Sequence, residues 1–183
     1  MSVTILIIAL LVLIILWAIS VQRRMVRLEE LCRNAMSQIG VQQNSRWDAL
    51  KALAELTKSY SEHEYKALTD IIAQRKNIGP ASTPEQVKEQ EKMMSNAMAV
   101  VNAVSEQYPD LKANTMYIKT MDSVNEYENQ VRMSRMVYND AVTRYNQPLR
   151  QLPNSLIVPM FGFKEKEYLE TPVEKTDMPS MKI

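Results

Sequence analysis

The sequence predicts an all-α protein in which an N-terminal transmembrane helix precedes an elongated antiparallel bundle of three to four helices. The first 22 residues carry no charged side chain. The 183-residue chain contains only three glycines, whereas strong helix formers such as alanine, glutamate, leucine and methionine are abundant. Between residues 117 and 149, mainly apolar side chains recur at alternating intervals of four and three residues. This spacing is typical of helices that pack against each other at shallow angles. The sequence contains no run of alternating apolar and polar residues, bounded by turn residues, that would predict a strand.

The N-terminal anchor is predicted from residues 3–21, an apolar run that only Thr4 and Ser20 interrupt. About 20 apolar residues cross a hydrocarbon core of about 30 Å, because a helix rises about 1.5 Å per residue. A cleaved signal peptide is the alternative, but it would have basic residues before a shorter apolar core. We therefore expect residues 1–22 to be a retained anchor in the lipid bilayer, with Trp17 at the interface with the headgroups.

The positive residues that flank this anchor all follow it. Arg23, Arg24 and Arg27 come directly after the apolar run, and positive flanks tend to remain cytoplasmic. The single cysteine, Cys32, cannot form an intramolecular disulfide, which agrees with a reducing compartment. The sequence thus predicts a single-pass membrane protein with its N-terminus outside and its bundle in the cytoplasm. An exoplasmic bundle is the alternative.

The rest of the chain is long enough for one domain with its own core. Its charges are balanced, since 22 basic and 21 acidic residues give the whole chain a net charge of +1. This balance argues against a nucleic-acid partner. We expect the bundle at residues 23–170 and a flexible tail at residues 171–183, where the sequence is charged and contains prolines.

The first helical block is predicted to run from the membrane to about Asn77. Its apolar stripe fades into polar residues after Gly40, which makes this glycine a candidate break. Gly79 and Pro80 end the block, because glycine suits a helix C-terminus and proline cannot continue the helix. The stripe of its second half comprises Ala49, Leu53, Leu56, Tyr60, His63, Ala67 and Ile71.

The second block has a clear start and end. Thr83 can cap it, and Gln86 completes the pattern of a capping box. Pro109 marks its end.

The third block has the most regular spacing, and two charged residues interrupt its otherwise apolar seam. Glu128 and Arg135 are seven residues, or about 10.5 Å, apart, so we expect each to find a partner on another helix. His63, Glu64 and Arg75 are the candidate partners. Alternatively, both charges lie at the solvent edge. The seam comprises Tyr117, Met121, Val124, Glu128, Val131, Arg135, Tyr138, Val142, Tyr145 and Leu149.

The C-terminal stretch contains four prolines, at positions 153, 159, 172 and 179, which exclude a continued helix. It also contains an apolar segment that either binds a partner protein or covers the end of the bundle. The residues of this candidate patch are Leu156, Ile157, Met160, Phe161 and Phe163.

Several local motifs together resemble the LemA family. Residues 58–64 are similar to its GYxxHE segment, although Ser59 stands where glycine is usual. Residues 108–114 match its YPxLKAN signature, and residues 128–146 resemble its ENxIxxARxxYNxxVxxYN helix. Gly162-Phe163 and its neighbours are similar to the C-terminal pattern, so the resemblance spans residues 28–170. Met36 and Gly40 depart from it, because the family favours Trp and Asp there.

The resemblance implies an N-terminal anchor followed by a helical bundle, and it adds no biochemical activity to this expectation. It also implies that the polar motif residues form a layer across the bundle that fixes the register of the helices, at some expense of stability. This proposed layer consists of His63, Glu64, Glu128, Asn129, Arg135, Tyr138 and Asn139.

The sequence offers little for catalysis, and we expect no cofactor or metal ion. His63-Glu64 begins like the zinc motif H-E-x-x-H, but Ala67 occupies the second ligand position. A packing histidine is the plainer interpretation of His63, and a site built from His63 and distant carboxylates is the alternative. The leading functional prediction is a non-enzymatic scaffold or adaptor for proteins at the membrane. A protein that organises the membrane by contacting lipid directly is the second hypothesis, and an enzyme with a His63-centred site is the third. The long first helix with its polar mid-section also suits association between copies of the chain, so a homo-oligomer is a further alternative.

Overall fold

The computed structural model describes residues 2–170, with side chains from Val3 onward. Within this range the chain is all-α, as the sequence predicts, and contains no strand. Its helices are α1 (Ser2–Thr57), α2 (Glu62–Ala73), α3 (Pro84–Gln107), α4 (Pro109–Lys112), α5 (Thr115–Arg150) and α6 (Asn154–Ile157), followed by a 3₁₀ turn (Val158–Phe161). A non-helical segment, residues 163–170, ends the described chain, and we call it the strap. The predicted tail at residues 171–183 lies outside the described residues.

Helix α1 is one continuous helix of 56 residues, about 84 Å long at 1.5 Å per residue. By length and composition it is the one helix of the described part that could cross a membrane. Its most apolar stretch has a mean hydropathy of 3.1 and none of it is buried. Because α1 continues without a break past residue 22, no flexible linker separates the apolar run from the bundle.

Helices α1 and α5 run antiparallel and pack against each other more extensively than any other pair of helices in the bundle. The proximal core, next to the apolar run, joins Met25 and Ile39 of α1 to Tyr145 and Tyr138 of α5. The distal core joins later residues of α1 to Val124 and earlier residues of α5, together with buried residues of α2, α3 and α4. The proximal half therefore contains mainly two long helices, and the distal half contains further helices packed against them.

The expected break near Gly40 is wrong, and so is the continuous helix to Asn77. Helix α1 continues through Gly40 and ends at Thr57, and Ser61 then caps α2 by accepting a 3.3 Å hydrogen bond from the Glu64 N–H. Gly40 serves close packing instead. A Cβ atom at Gly40 would lie 2.0 Å from the carbonyl oxygen of Ile78, the buried residue of the loop before α3, so the loop backbone can approach only a glycine here.

The predicted start of the second block is confirmed. The Thr83 hydroxyl accepts from the Gln86 N–H at 3.3 Å, and the Gln86 side chain accepts from the Thr83 N–H at 3.0 Å. The two bonds form a capping box that begins α3. At the start of α5, Asn114 accepts a 2.8 Å hydrogen bond from the Met116 N–H. These caps begin α3 and α5, the two helices that carry the carboxylates described next.

Candidate functional site

A buried arginine joins three helices in the distal half of the bundle. Arg46 of α1 is only 6% exposed. Its Nη1 donates to Oε2 of Glu91 on α3, and its Nη2 donates to Oε2 of Glu128 on α5, each at 3.3 Å. Gln43 donates to the other Glu91 oxygen at 3.0 Å, and Arg132 lies 3.8 Å from Glu128. We call Gln43, Arg46, Glu91 and Glu128 the Arg46 network.

The Arg46 network differs from the polar layer expected from the sequence. Glu128 has a partner on another helix, but this partner is Arg46 and not one of the three candidates. His63 and Asn129 are exposed, and Glu64 is half-buried near the start of α2. Arg75 pairs with Asp48 at 3.0 Å on the surface. The turn after Thr57 interrupts the apolar stripe that was predicted to include His63. The direction in which α2 turns each of its side chains therefore does not follow from the periodicity of α1.

The sequence signal that could have revealed Arg46 was the polar stretch after Gly40. This stretch favoured a break in the helix, whereas it supplies two buried polar side chains, Gln43 and Arg46, between Ile39 and Trp47. Gln43 and Arg46 are three residues apart and therefore share a face of α1. Their carboxylate partner Glu91 stands 45 residues beyond Arg46, on a helix whose orientation only the fold determines.

The other motif residues bind the strap. Asn139 and Asn146 of α5 each bind the backbone of one strap residue through both the nitrogen and the oxygen of the side-chain amide. The Asn146 amide donates to the Lys166 carbonyl at 2.9 Å and accepts from its N–H at 3.0 Å. The Asn139 amide donates to the Leu169 carbonyl at 2.9 Å and accepts from its N–H at 2.8 Å. The asparagines thus bind the strap backbone as a neighbouring strand would.

These two contacts show that the strap is extended. Asn139 and Asn146 are seven residues apart on α5, about 10.5 Å along its axis. Their partners are only three residues apart, so the strap advances about 3.5 Å per residue, close to the limit of a fully extended chain. The strap therefore runs antiparallel to α5, away from the proximal end of the bundle.

Charged and aromatic groups complete the binding of the strap. Arg135 donates to the carbonyl oxygen of Glu170, so its partner is the strap backbone and not another helix. Tyr138 donates to the Glu167 carbonyl at 3.3 Å. Arg150 forms two hydrogen bonds to the Glu165 carboxylate, at 2.8 and 2.7 Å, and this contact lowers the pKa of Glu165.

The ionisable groups beneath the strap are held in their neutral forms. Burial raises the pKa of Tyr138 and of Tyr145 to about 12. Burial also raises the pKa of the Cys32 thiol, and the nearby Lys166 acts in the opposite direction. A buried thiol that favours its neutral form is a poor nucleophile, so the arrangement suits packing more than catalysis.

The predicted apolar patch is divided by the structure. Ile157 and Phe163 pack against the proximal core, whereas Leu156, Met160 and Phe161 are exposed. The residues predicted to lie at the membrane interface divide in the same way. Trp17 packs against the proximal core, whereas Arg23, Arg24 and Arg27, further along α1, are exposed. The exposed part of the patch and the arginines therefore lie at the same end of the bundle. Within the described residues, no three His, Cys, Asp or Glu side chains come close enough together to hold a metal ion.

A model of the LemA family matches residues 35–183, which is most of the chain. The chain belongs to the LemA family. This finding confirms the resemblance drawn from the motifs, and the matched region contains both the Arg46 network and the strap.

Two curated relatives share part of this sequence. Magnetosome proteins MamQ 1 and MamQ 2 of Paramagnetospirillum magneticum are each 33% identical over 75 residues. The aligned segment covers 41% of this chain but only 28% of each relative. The chain thus spans less than a third of the curated relatives that it matches.

Proposed function

We propose that this LemA-family protein is a single-pass membrane protein whose bundle serves as a non-catalytic scaffold for protein interactions at the bilayer. Support for the membrane anchor comes from the apolar run of α1, whose side chains are exposed and would otherwise contact water. Because α1 is continuous, a bundle carried by this anchor has little freedom to bend away from it.

The observation that carries the scaffold proposal is an apolar groove on the side of the bundle. The groove is an open depression of about 230 Å³ between α1 and α5, and the apolar half of its lining consists of Leu31, Ala35, Val137 and Ala141. Val137 and Asn146 are nine residues apart, a rotation of about 180° at about 100° per residue. The groove and the strap therefore lie on opposite sides of α5.

The chemistry of the groove suits an amphipathic helix of a partner protein. Asp140 and Arg144 place one charge of each sign at its edge. The exposed Met133 and Met136 extend the apolar surface along α5, and methionine side chains adapt to different partners. The proposal includes a second copy of this chain as one such partner.

Site-specific photocrosslinking in intact cells tests the scaffold. A photoreactive residue replaces Val137 in the groove, and a matched residue replaces the exposed Lys92 on α3. We expect a discrete adduct from position 137 that the substitution Leu31→Asp abolishes, with no such adduct from position 92. Equal crosslinking from both positions, or an adduct that does not respond to Leu31→Asp, would contradict the proposal.

The orientation requires its own test. We propose that the N-terminus lies outside and the bundle in the cytoplasm, on the basis of the arginines after the apolar run. Lys112 is exposed at the distal end of the bundle, so Lys112→Cys in a Cys32→Ala background gives one accessible thiol. A membrane-impermeant maleimide should label it only after lysis. Labelling of intact cells would place the bundle outside.

A further inference from the structure

An exposed apolar surface lies where the chain reverses direction after α5. Leu152, Leu156 and Met160 are 75%, 67% and 82% exposed, and Phe161 is exposed beside them. Residues 151–163 contain no charged side chain, and Arg150 and Lys164 stand on either side of this segment. Four exposed large apolar side chains in an uncharged segment of 13 residues are unusual on a surface that faces water. We call residues 151–162 the proximal tip.

The proximal tip is at the end of the bundle from which the apolar run of α1 leaves. Helix α5 runs antiparallel to α1 toward this run and ends at Arg150. The strap then leads away again, since Lys166 binds Asn146 and Leu169 binds Asn139. The proximal tip connects the end of α5 to the start of the strap, and the chain reverses its direction there. It is therefore the part of these C-terminal elements that lies nearest the apolar run of α1.

Core contacts fix the proximal tip at this level. Val158 is fully buried in the same core as Val21 and Met25, the first buried residues of α1. Trp17 and Ile157 pack against this core from α1 and from the proximal tip. At about 1.5 Å per residue, Val21 lies only about 6 Å along α1 from Trp17.

We propose that the proximal tip is a second, interfacial membrane contact, which inserts Leu152, Leu156, Met160 and Phe161 into the bilayer that α1 crosses. The inference rests on the proposed transmembrane anchor. A tip held beside the exit point of a membrane-spanning helix lies at the boundary between headgroups and acyl chains, where apolar side chains leave water. The exposed Arg23, Arg24 and Lys164 lie close to the same boundary and suit anionic headgroups.

Lipid is favoured over a protein partner because the exposed surface lies at the end of the bundle from which the apolar run of α1 leaves. The partly buried Ile157 and the fully buried Val158 lie behind it and hold it against the bundle. A tip inserted in this way would fix the tilt of the bundle relative to the bilayer, since α1 and the proximal tip would be two separate points of attachment.

Depth-dependent quenching in proteoliposomes tests this contact with the full chain. An environment-sensitive fluorophore is attached at Met160→Cys in a Cys32→Ala background, and the vesicles contain phosphatidylcholine, phosphatidylglycerol and nitroxide-labelled lipids. Met133→Cys, at another exposed methionine on the side of α5, is the control; Met133 is 61% exposed and Met160 is 82% exposed. Leu10→Cys, in the middle of the apolar run, reports on the anchor.

We expect nitroxides near the headgroups to quench position 160 about threefold more than position 133, as for a side chain at the interface. Deep nitroxides should quench position 10. Quenching at position 10 with equal, weak quenching at positions 160 and 133 would overturn the interfacial contact and leave the anchor intact. Absence of quenching at position 10 would overturn both. A water-exposed probe at position 160 that becomes shielded only when cell extract is added would assign the tip to a protein partner instead.

Discussion

Replacing Arg46 should destabilise the bundle far more than replacing an arginine on its surface. Arg46→Met keeps much of the side-chain volume but leaves Glu91 and Glu128 without the cation that lies between them. Breaking a fully buried ion pair costs about 3–5 kcal/mol. The two carboxylate side chains are 26% and 28% exposed, so water can reach them in part after the substitution. We therefore expect the free energy of unfolding to fall by about 2–3 kcal/mol.

The matched control is Arg75→Met. Arg75 pairs with Asp48 at 3.0 Å, a shorter distance than either Arg46 contact, but the Asp48 side chain is 69% exposed. Exposed ion pairs contribute about 0–1 kcal/mol. The comparison therefore separates the effect of burial from the effect of distance, and the closer pair should be the less important one.

The assay follows Trp47, which is buried one residue after Arg46. In a Trp17→Phe background its fluorescence reports unfolding of the distal core in the full-length chain in detergent micelles. Arg46→Met should lower the melting temperature by about 4–12 °C, given about 2–4 °C per kcal/mol for a domain of this size. Arg75→Met should lower it by less than about 4 °C.

A triple variant separates the charge network from simple loss of packing. Adding Glu91→Gln and Glu128→Gln to Arg46→Met removes the two negative charges that the buried arginine neutralises, so much of the lost stability should return. Similar losses for Arg46→Met and Arg75→Met would refute the reasoning. So would a triple variant whose loss equals the sum of the three single losses, because independent sites add.

Three further substitutions or conditions test other parts of the bundle. Gly40→Ala should cost about 1–3 kcal/mol because its Cβ would meet a backbone carbonyl, whereas Gly79→Ala, with open space around it, should be nearly neutral in the same melt. Asn146→Ala should speed hydrogen–deuterium exchange of the strap amides while the exposed control Gln147→Ala leaves it unchanged, and equal protection in both would refute the role of the amide. Burial raises the pKa of Tyr145 to about 12 from about 10 in an unfolded chain. Its contribution to stability should thus be complete below pH 10 and disappear toward pH 12, so the melting temperature should fall less over this range in Tyr145→Phe.

The features that the sequence predicts well are those that depend on nearby residues. The capping box of α3 follows from Thr83 and Gln86, three positions apart. The seam of α5 follows from its spacing, and Val124, Val131 and Val142 are buried as expected. The turn between α1 and α2 was missed because residues 58–61 contain neither glycine nor proline, and Ser61 caps α2 without either.

The features that the sequence does not predict depend on distant partners. Arg46 and Glu128 are 82 residues apart, and a charged residue on a helix is ordinarily a surface residue. Asn139 belongs to the predicted polar layer and Asn146 to the motif that resembles the family, yet their partners are backbone groups 30 and 20 residues further along the chain. Side-chain bonds to a non-helical backbone leave no periodic pattern in the sequence.

The strap explains how two long helices can form a core in the proximal half. Two helices alone leave much of their contact surface open to water, and the distal half closes this surface with α2 and α3. In the proximal half, Val158 of the proximal tip and Leu169 of the strap close it, together with Ile78 and Val87. A non-helical segment in this position needs partners for its own backbone, and the amides of Asn139 and Asn146 provide them. The LemA-like asparagines therefore act in assembly of the core, and the position of the proximal tip follows from the strap that they hold.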